Sequence, residues 1–138
     1  MDRQRAEISE KNLFWIEKHR YLELRQFCLQ YPTWQKAKAA LIARSGNPGS
    51  IAKTSGSNDS PVEKIFIAIC LYDELIGKVE QAVSYCEPWA QKYVLKGVTK
   101  GWSYETMNAQ DPLPCCRSLY YKEYRRFFYA LNKIRDTA

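Results

Sequence analysis

From Val62 to Val83, apolar residues return every three or four positions: Val62, Ile65, Ile69, Tyr72, Ile76, Val79 and Val83. This is the spacing of one side of an α-helix, held for nearly three heptads. The helix also has a marked beginning. Ser60-Pro61-Val62-Glu63 supplies a capping serine, a proline in the first helical position and a glutamate in the third, which satisfy backbone groups that a helix end leaves open. Leu71, Leu75 and Ala82 add a second apolar stripe, so the helix is either central to its domain or shared with another subunit. In the second case Ile65, Ile69, Tyr72, Ile76, Val79 and Val83 form the dimer seam.

The flanking segments carry the same periodicity. Phe14, Tyr21, Leu24, Cys28 and Tyr31 place a helix over about 9–30, and Pro32 interrupts it. Thr33 then caps a second helix that begins at Trp34 and ends near Ala43. The stretch 44–59 is rich in Gly, Ser, Asn and Pro and reads as a flexible linker. Beyond the long helix, Pro88 opens a fourth helix with Trp89, Tyr93, Val94 and Val98 on its buried stripe, and Gly101 stops it. Ser103 caps a short fifth helix holding Met107, and after Pro112 and Pro114 a last helix runs from Cys115 to about Arg135. The expected fold is all-α: an N-terminal helical pair (1–43), a linker (44–59), and a region (60–138) combining the long central helix with a C-terminal three-helix, helix-turn-helix-like unit.

Charge sharpens the reading of the last segment. The chain carries a formal net charge of +6. Beyond Pro114, Arg117, Lys122, Arg125, Arg126, Lys133 and Arg135 face only Glu123 and Asp136, so most of the excess is local. At 100° per residue, Cys116, Tyr120, Tyr124, Phe127, Phe128, Leu131 and Ile134 share one side. Cys115, Ser118, Lys122, Arg125, Arg126, Tyr129 and Lys133 take the other. A helix, a short helix and a longer basic helix is the order of helix-turn-helix modules, whose second motif helix enters the major groove. Residues at its start reach deepest, which makes Arg117, Ser118, Tyr121 and Lys122 the candidates for base contact. Arg125, Arg126 and Lys133, with Lys96 and Lys100 on the preceding helix, are candidates for the phosphate backbone. The expected partner is double-stranded DNA.

Tyr31-Pro32-Thr33-Trp34-Gln35-Lys36, the run from Tyr93 to Tyr104, Pro114-Cys115-Cys116-Arg117, and the run from Tyr120 to Phe128 resemble small proteins of Firmicutes prophages. Those are related to the RinA and ArpU type regulators of phage late genes, whose C-terminal part is similar to the promoter-reading region 4 of sigma factors. The resemblance implies transcription control of phage or prophage genes. It departs at Gln110-Asp111-Pro112-Leu113-Pro114, where two prolines replace the small or glycine-containing loop usual in sigma-like turns.

Other classes find less in the sequence. A protein-binding module that docks on a host protein such as RNA polymerase would use the same aromatic, basic face, with Tyr121 and Tyr129 exposed beside arginines. A small terminase-like packaging subunit is a third reading. An enzyme is not expected. His19 is the only histidine and stands among Glu17, Lys18 and Arg20; no two carboxylates group for acid–base work. Cys115-Cys116 lacks the spacing of a zinc or redox pair, so no metal or cofactor is expected; one thiol of the two is expected to be buried and the other exposed, with basic surroundings that would lower the Cys115 pKa. Gly46-Asn47-Pro48-Gly49 followed by Lys53-Thr54 fails the phosphate-loop spacing, since Ala52 stands where glycine is needed. Five cysteines with no secreted-domain spacing, no apolar leader and no membrane-length apolar run suggest a cytoplasmic protein.

Overall fold

The computed structural model describes residues 14–45 and 61–136. Among them are six helices and no strand: α1 (Lys18–Leu29), α2 (Tyr31–Ser45), α3 (Pro61–Val83), α4 (Gln91–Lys100), α5 (Tyr104–Gln110) and α6 (Arg117–Asp136). The all-α class is as the periodicity dictates. None of these helices is long and apolar enough to cross a membrane. Most of the expected linker, 46–59, and the capping Ser60 lie outside the described residues; Arg44 and Ser45 belong to the end of α2.

Two compact units divide the chain, one of Met1–Gln30 with Lys78–Ala138, the other of Tyr31–Gly77. This differs from the expected N-terminal pair. Tyr21, Leu24, Phe27 and Cys28 of α1 are buried, and α1 packs on α4 and α6. Its apolar stripe is therefore satisfied by helices far along the chain, while α2 falls in the other unit. Glu17 caps α1, its carboxylate accepting from the backbone N–H groups of His19 at 2.9 Å and Arg20 at 3.3 Å. The His19 bond, with a smaller one from Arg20, holds the Glu17 carboxyl below the usual range.

In the larger unit, α4, α5 and α6 pack pairwise on one another. Sequence signals fix the joints. Gly101 ends α4 with φ 72°, the left-handed conformation that glycine adopts without penalty, and the Trp102 N–H returns to the Gly97 carbonyl at 3.1 Å. Ser103 caps α5 by accepting from the Thr106 N–H at 3.2 Å. Met107 on α5 is fully buried, as its inward position predicts. The fourth helix begins later than expected, at Gln91, because residues 88–90 form a turn closed by the Ala90 N–H to the Glu87 carbonyl at 2.8 Å.

An aromatic cluster on α6 makes the core. Tyr120, Phe127, Phe128 and Leu131 have no accessible surface. The Tyr21 and Tyr124 hydroxyls meet at 2.7 Å, and Phe128 sets its ring edge-on against both, at centroid separations of 5.1 Å to Tyr21 and 5.0 Å to Tyr124. Burial pushes the Tyr124 hydroxyl up to about 12, partly offset by the bond to Tyr21. Tyr120 lies so close to α4 that a Cβ added at Gly97 would stand 2.2 Å from its hydroxyl oxygen. Only glycine allows that approach.

The smaller unit contains α2 and α3 as far as Gly77. Tyr31, Trp34, Ile65 and Ile76 are buried there, and Lys38 forms an ion pair with Asp73. The dimer seam expected on α3 requires correction. Ile65 and Ile76 of this unit are 6 and 8% exposed, Val79 and Val83 of the larger unit are 0 and 7% exposed, and Ile69 and Tyr72 are half-buried, so four of its six positions are enclosed within the single chain.

Candidate nucleic-acid interface

Helix α6 carries the expected site, and its aromatic side is buried as the wheel requires. Its outward side is less uniformly cationic than the sequence suggests. Ser118 and Lys122, on the first two turns, are exposed, and so is Lys133 near the far end, its ammonium 5.3 Å from the Tyr129 ring centre. The guanidinium groups are mostly engaged. Arg117 pairs with Glu105 at 3.4 Å and lies over the Tyr121 ring at 5.7 Å. Arg126 pairs with Glu123 at 3.2 Å and Glu87 at 3.4 Å. Arg135 reaches Glu23 at 3.9 Å and covers Phe27. Among the described residues Arg125 alone on α6 has no carboxylate, and its half-burial depresses the guanidinium pKa.

Tyr121 is not a groove residue. It is 8% exposed, and its hydroxyl accepts the backbone N–H of Tyr104 at 3.1 Å, which satisfies the first residue of α5. The same side chain that the wheel left near the basic edge thus locks α5 to α6. Tyr104 answers by donating its own hydroxyl to the Cys115 carbonyl at 2.8 Å. These two bonds, with the Leu113 N–H on the Asn108 side chain at 2.9 Å, order the proline-containing turn between α5 and α6. On α4, Lys96 approaches Asp111 at 3.8 Å, sharing it with Lys92 at 3.7 Å, while Lys100 is exposed and lies over the Trp102 ring at 4.8 Å.

A residue the sequence reading passed over holds this side together. Glu123 is 4% exposed; its carboxylate accepts the Glu87 N–H at 3.0 Å and holds Arg126. A buried carboxylate is tolerated only when its oxygens are satisfied, and here they fasten α6 to the turn before α4. The signal was present: Glu123 sits three residues after Tyr120 and four before Phe127, at the edge of the apolar arc.

Of the paired cysteines, Cys115 does not have the lowered pKa expected of it. Cys115 is half-buried, and desolvation raises its thiol pKa. Cys116 is exposed within 3.2 Å of the Ser118 hydroxyl, and that hydrogen bond, with backbone N–H groups at the start of α6, lowers its pKa. No group of three His, Cys, Asp or Glu side chains among the described residues could hold a metal ion.

Compared with protein-family models, curated proteins and solved structures, the chain matches none.

Proposed function

We propose that α4, α5 and α6 form a helix-turn-helix unit that binds double-stranded DNA, and that the chain is a sequence-specific transcription regulator of phage or prophage genes. The observation that carries this reading is the mutual packing of the three helices with the first two turns of α6 left open at Ser118 and Lys122. A recognition helix needs that combination: one side anchored, the amino-terminal turns free to enter a groove. The resemblance of the same segment to sigma-like regulators points the same way.

The contact set is narrower than the sequence suggests. Ser118 and Lys122 are assigned to base edges. Arg125, Lys133 and Lys100 are assigned to phosphates, Arg125 first, because a partly desolvated guanidinium without a carboxylate gains most from an anion. Tyr121 and Arg126 serve the fold, and Arg117 and Lys96 contribute only by exchanging Glu105 or Asp111 for the nucleic acid.

Fluorescence anisotropy with labelled duplexes tests the reading. Affinity should fall steeply with salt. Arg125→Ala should weaken binding to every sequence and reduce the salt slope by about one, whereas Lys122→Ala should relax base preference by about 1–3 kcal/mol at one position. A complex indifferent to salt, or unchanged by both substitutions, would remove α6 from the interface.

A second reading is favoured by one observation. Two cavities of about 350 and 340 Å³ flank Arg126, the first against Trp89, Pro114 and Leu119, the second against Phe14, Tyr85 and Tyr129. Aromatic hollows beside arginine are what protein partners use. A partner such as host RNA polymerase, retained from lysate after nuclease treatment and lost in Tyr85→Ala, would support this reading; nuclease sensitivity would support DNA.

A further inference from the structure

Cys115 and Cys116 are consecutive, and both stand in the non-helical segment between Pro114 and Arg117, the first residue of α6. Their surroundings differ. Cys116 is exposed; its sulfur lies 3.2 Å from the Ser118 hydroxyl and meets the backbone N–H groups of Leu119 and Ser118, which a helix start leaves without carbonyl partners. Donors of that kind favour the thiolate. Cys115 is half-buried and borders the cavity formed with Trp89, Pro114 and Leu119. Burial first, then the charge of Cys116, keeps it protonated, and the second influence passes between sulfurs that are near one another. An exposed thiolate beside a less exposed thiol is the arrangement of a peroxide-sensing pair, in which the first sulfur is oxidised and the second resolves it.

We propose that Cys115 and Cys116 are a redox modification site, at which hydrogen peroxide is consumed and a disulfide forms between the two neighbours. The Cys116 thiolate attacks one peroxide oxygen; the S–O bond forms as the O–O bond breaks, and the other oxygen leaves as hydroxide. Sulfur is thereby oxidised to a sulfenic acid and peroxide is reduced. The Cys115 sulfur then attacks that of Cys116; the S–S bond forms, the S–O bond breaks, and the oxygen departs as water with the Cys115 proton. Ordinary disulfides hold their Cα atoms about 4.4–6.8 Å apart, whereas consecutive residues stand about 3.8 Å apart. The bridge is therefore strained and readily reduced again, and it closes only by turning the backbone, which the lack of helix at both residues permits. The Cys115 carbonyl holds the Tyr104 hydroxyl at 2.8 Å, so this turn pulls on the joint between α5 and α6. Release of the joint shifts Ser118 and Lys122, and that consequence, unlike the chemistry, rests on the DNA-binding reading.

The test is peptide mass spectrometry on the whole chain. The reduced protein is treated with a few equivalents of hydrogen peroxide, its remaining thiols are blocked with iodoacetamide, and it is digested with trypsin. Cleavage after Lys100 and Arg117 releases one peptide that holds Cys115, Cys116 and no other cysteine. It should appear unalkylated and two hydrogens lighter than the dithiol, and return to the dithiol mass with dithiothreitol. Cys116→Ser should abolish the change, and Cys115→Ser should leave a sulfenic acid on Cys116 that dimedone traps. Should either variant fail to fold, the native chain decides alone. Two alkylated cysteines after peroxide, sulfinic acid at Cys116 in the native chain, or a bridge to Cys70 or to a second copy would each overturn the proposal. Duplex affinity should fall severalfold in the bridged chain and recover with dithiothreitol. A bridged chain of unchanged affinity would overturn that consequence, and a reduced chain that binds no duplex would overturn the DNA reading while the mass change upholds the site.

Discussion

Helices α3 and α6 are the two longest among the described residues, and both are written with apolar residues at three- and four-residue steps. They spend that pattern differently. On α6 Tyr120, Tyr124, Phe127, Phe128 and Leu131 are buried where the helix packs on α1, α4 and α5, and even a carboxylate, Glu123, is buried beside them. On α3 before Gly77, one arc is buried at Ile65 and Ile76 while Phe66, Ile67 and Leu71 on the other side face outward. Periodicity announces that a helix has an apolar side; it does not say whether the surface that covers it belongs to the same chain.

The sharpest way to break this contrast is to delete one aromatic from each helix. Phe128 has no exposed surface and touches the rings of Tyr21, Tyr124 and Phe127, so Phe128→Ala should cost about 3–5 kcal/mol of unfolding free energy. Phe66→Ala, measured in dilute solution, should change it by no more than about 0.5 kcal/mol. Urea titrations compare the two directly. Equal losses would mean that the outer face of α3 is covered within the chain.

Alkali should act on the α6 core next. Burial raises the pKa values of Tyr124 and Cys86 to about 12 and those of Tyr120 and Cys28 as well. These groups ionise earlier in the unfolded chain, near 9 for the thiols and 10 for the phenols. Their contribution to stability is thus intact below about pH 9 and is lost as pH rises toward 12. Tyr124 alone accounts for on the order of 2–3 kcal/mol over that interval. Denaturant midpoints should be flat from neutrality to the start of that window and fall beyond it. A flat profile up to pH 11 would mean that these hydroxyls and thiols are not enclosed.

A matched pair of glycines gives a finer comparison. Gly97→Ala forces a methyl group against the Tyr120 hydroxyl and should cost about 1–3 kcal/mol. That hydroxyl is buried with no hydrogen-bond partner among the described residues, so Tyr120→Phe should be close to neutral and should restore most of the loss in the double variant, the ring carbon lying 3.5 Å from the new Cβ. Gly77→Ala on α3 meets nothing within 4 Å and should stabilise by about 0.5–1 kcal/mol. Additive losses in the Gly97/Tyr120 pair would mean that the two residues do not touch.

What could be read from the residues, and what could not, follows the same division. Local signals placed the stop at Gly101, the cap at Ser103 and the inward turn of Met107 because each is decided within one helical turn. The inward face of α6 was legible because Tyr120, Tyr124, Phe127, Phe128 and Leu131 repeat the vote, while Cys116 and Ile134 at its two ends are exposed and half-buried. The state of single charges was not. Arg126 is held by Glu87, thirty-nine residues earlier, and Tyr121 is buried by a bond to Tyr104, seventeen residues earlier. Such pairings depend on how helices meet, which no wheel contains. On α3 two apolar stripes were visible, and which positions are buried was decided by the neighbours: Ile65 and Ile76 of one stripe and Ala82 of the other are enclosed, while Leu71 is exposed.

The smallest effect expected is kinetic, and it separates the five thiols by the same rule of enclosure. Cys70 on α3 and Cys116 at the start of α6 are exposed; Cys115 is half-buried; Cys28 and Cys86 are buried. A chromogenic disulfide reagent should therefore titrate two thiols quickly, one slowly and two only after unfolding. Near neutral pH the reacting species is the thiolate, and the hydrogen bond from Ser118 favours it at Cys116. Because the folded pKa is lowered, Cys116 keeps its reactivity to lower pH than an ordinary thiol. Ser118→Ala should slow its labelling severalfold at neutral pH and leave Cys70 unchanged. An unaltered Cys116 rate would assign its activation to the backbone N–H groups at the start of α6 rather than to the serine.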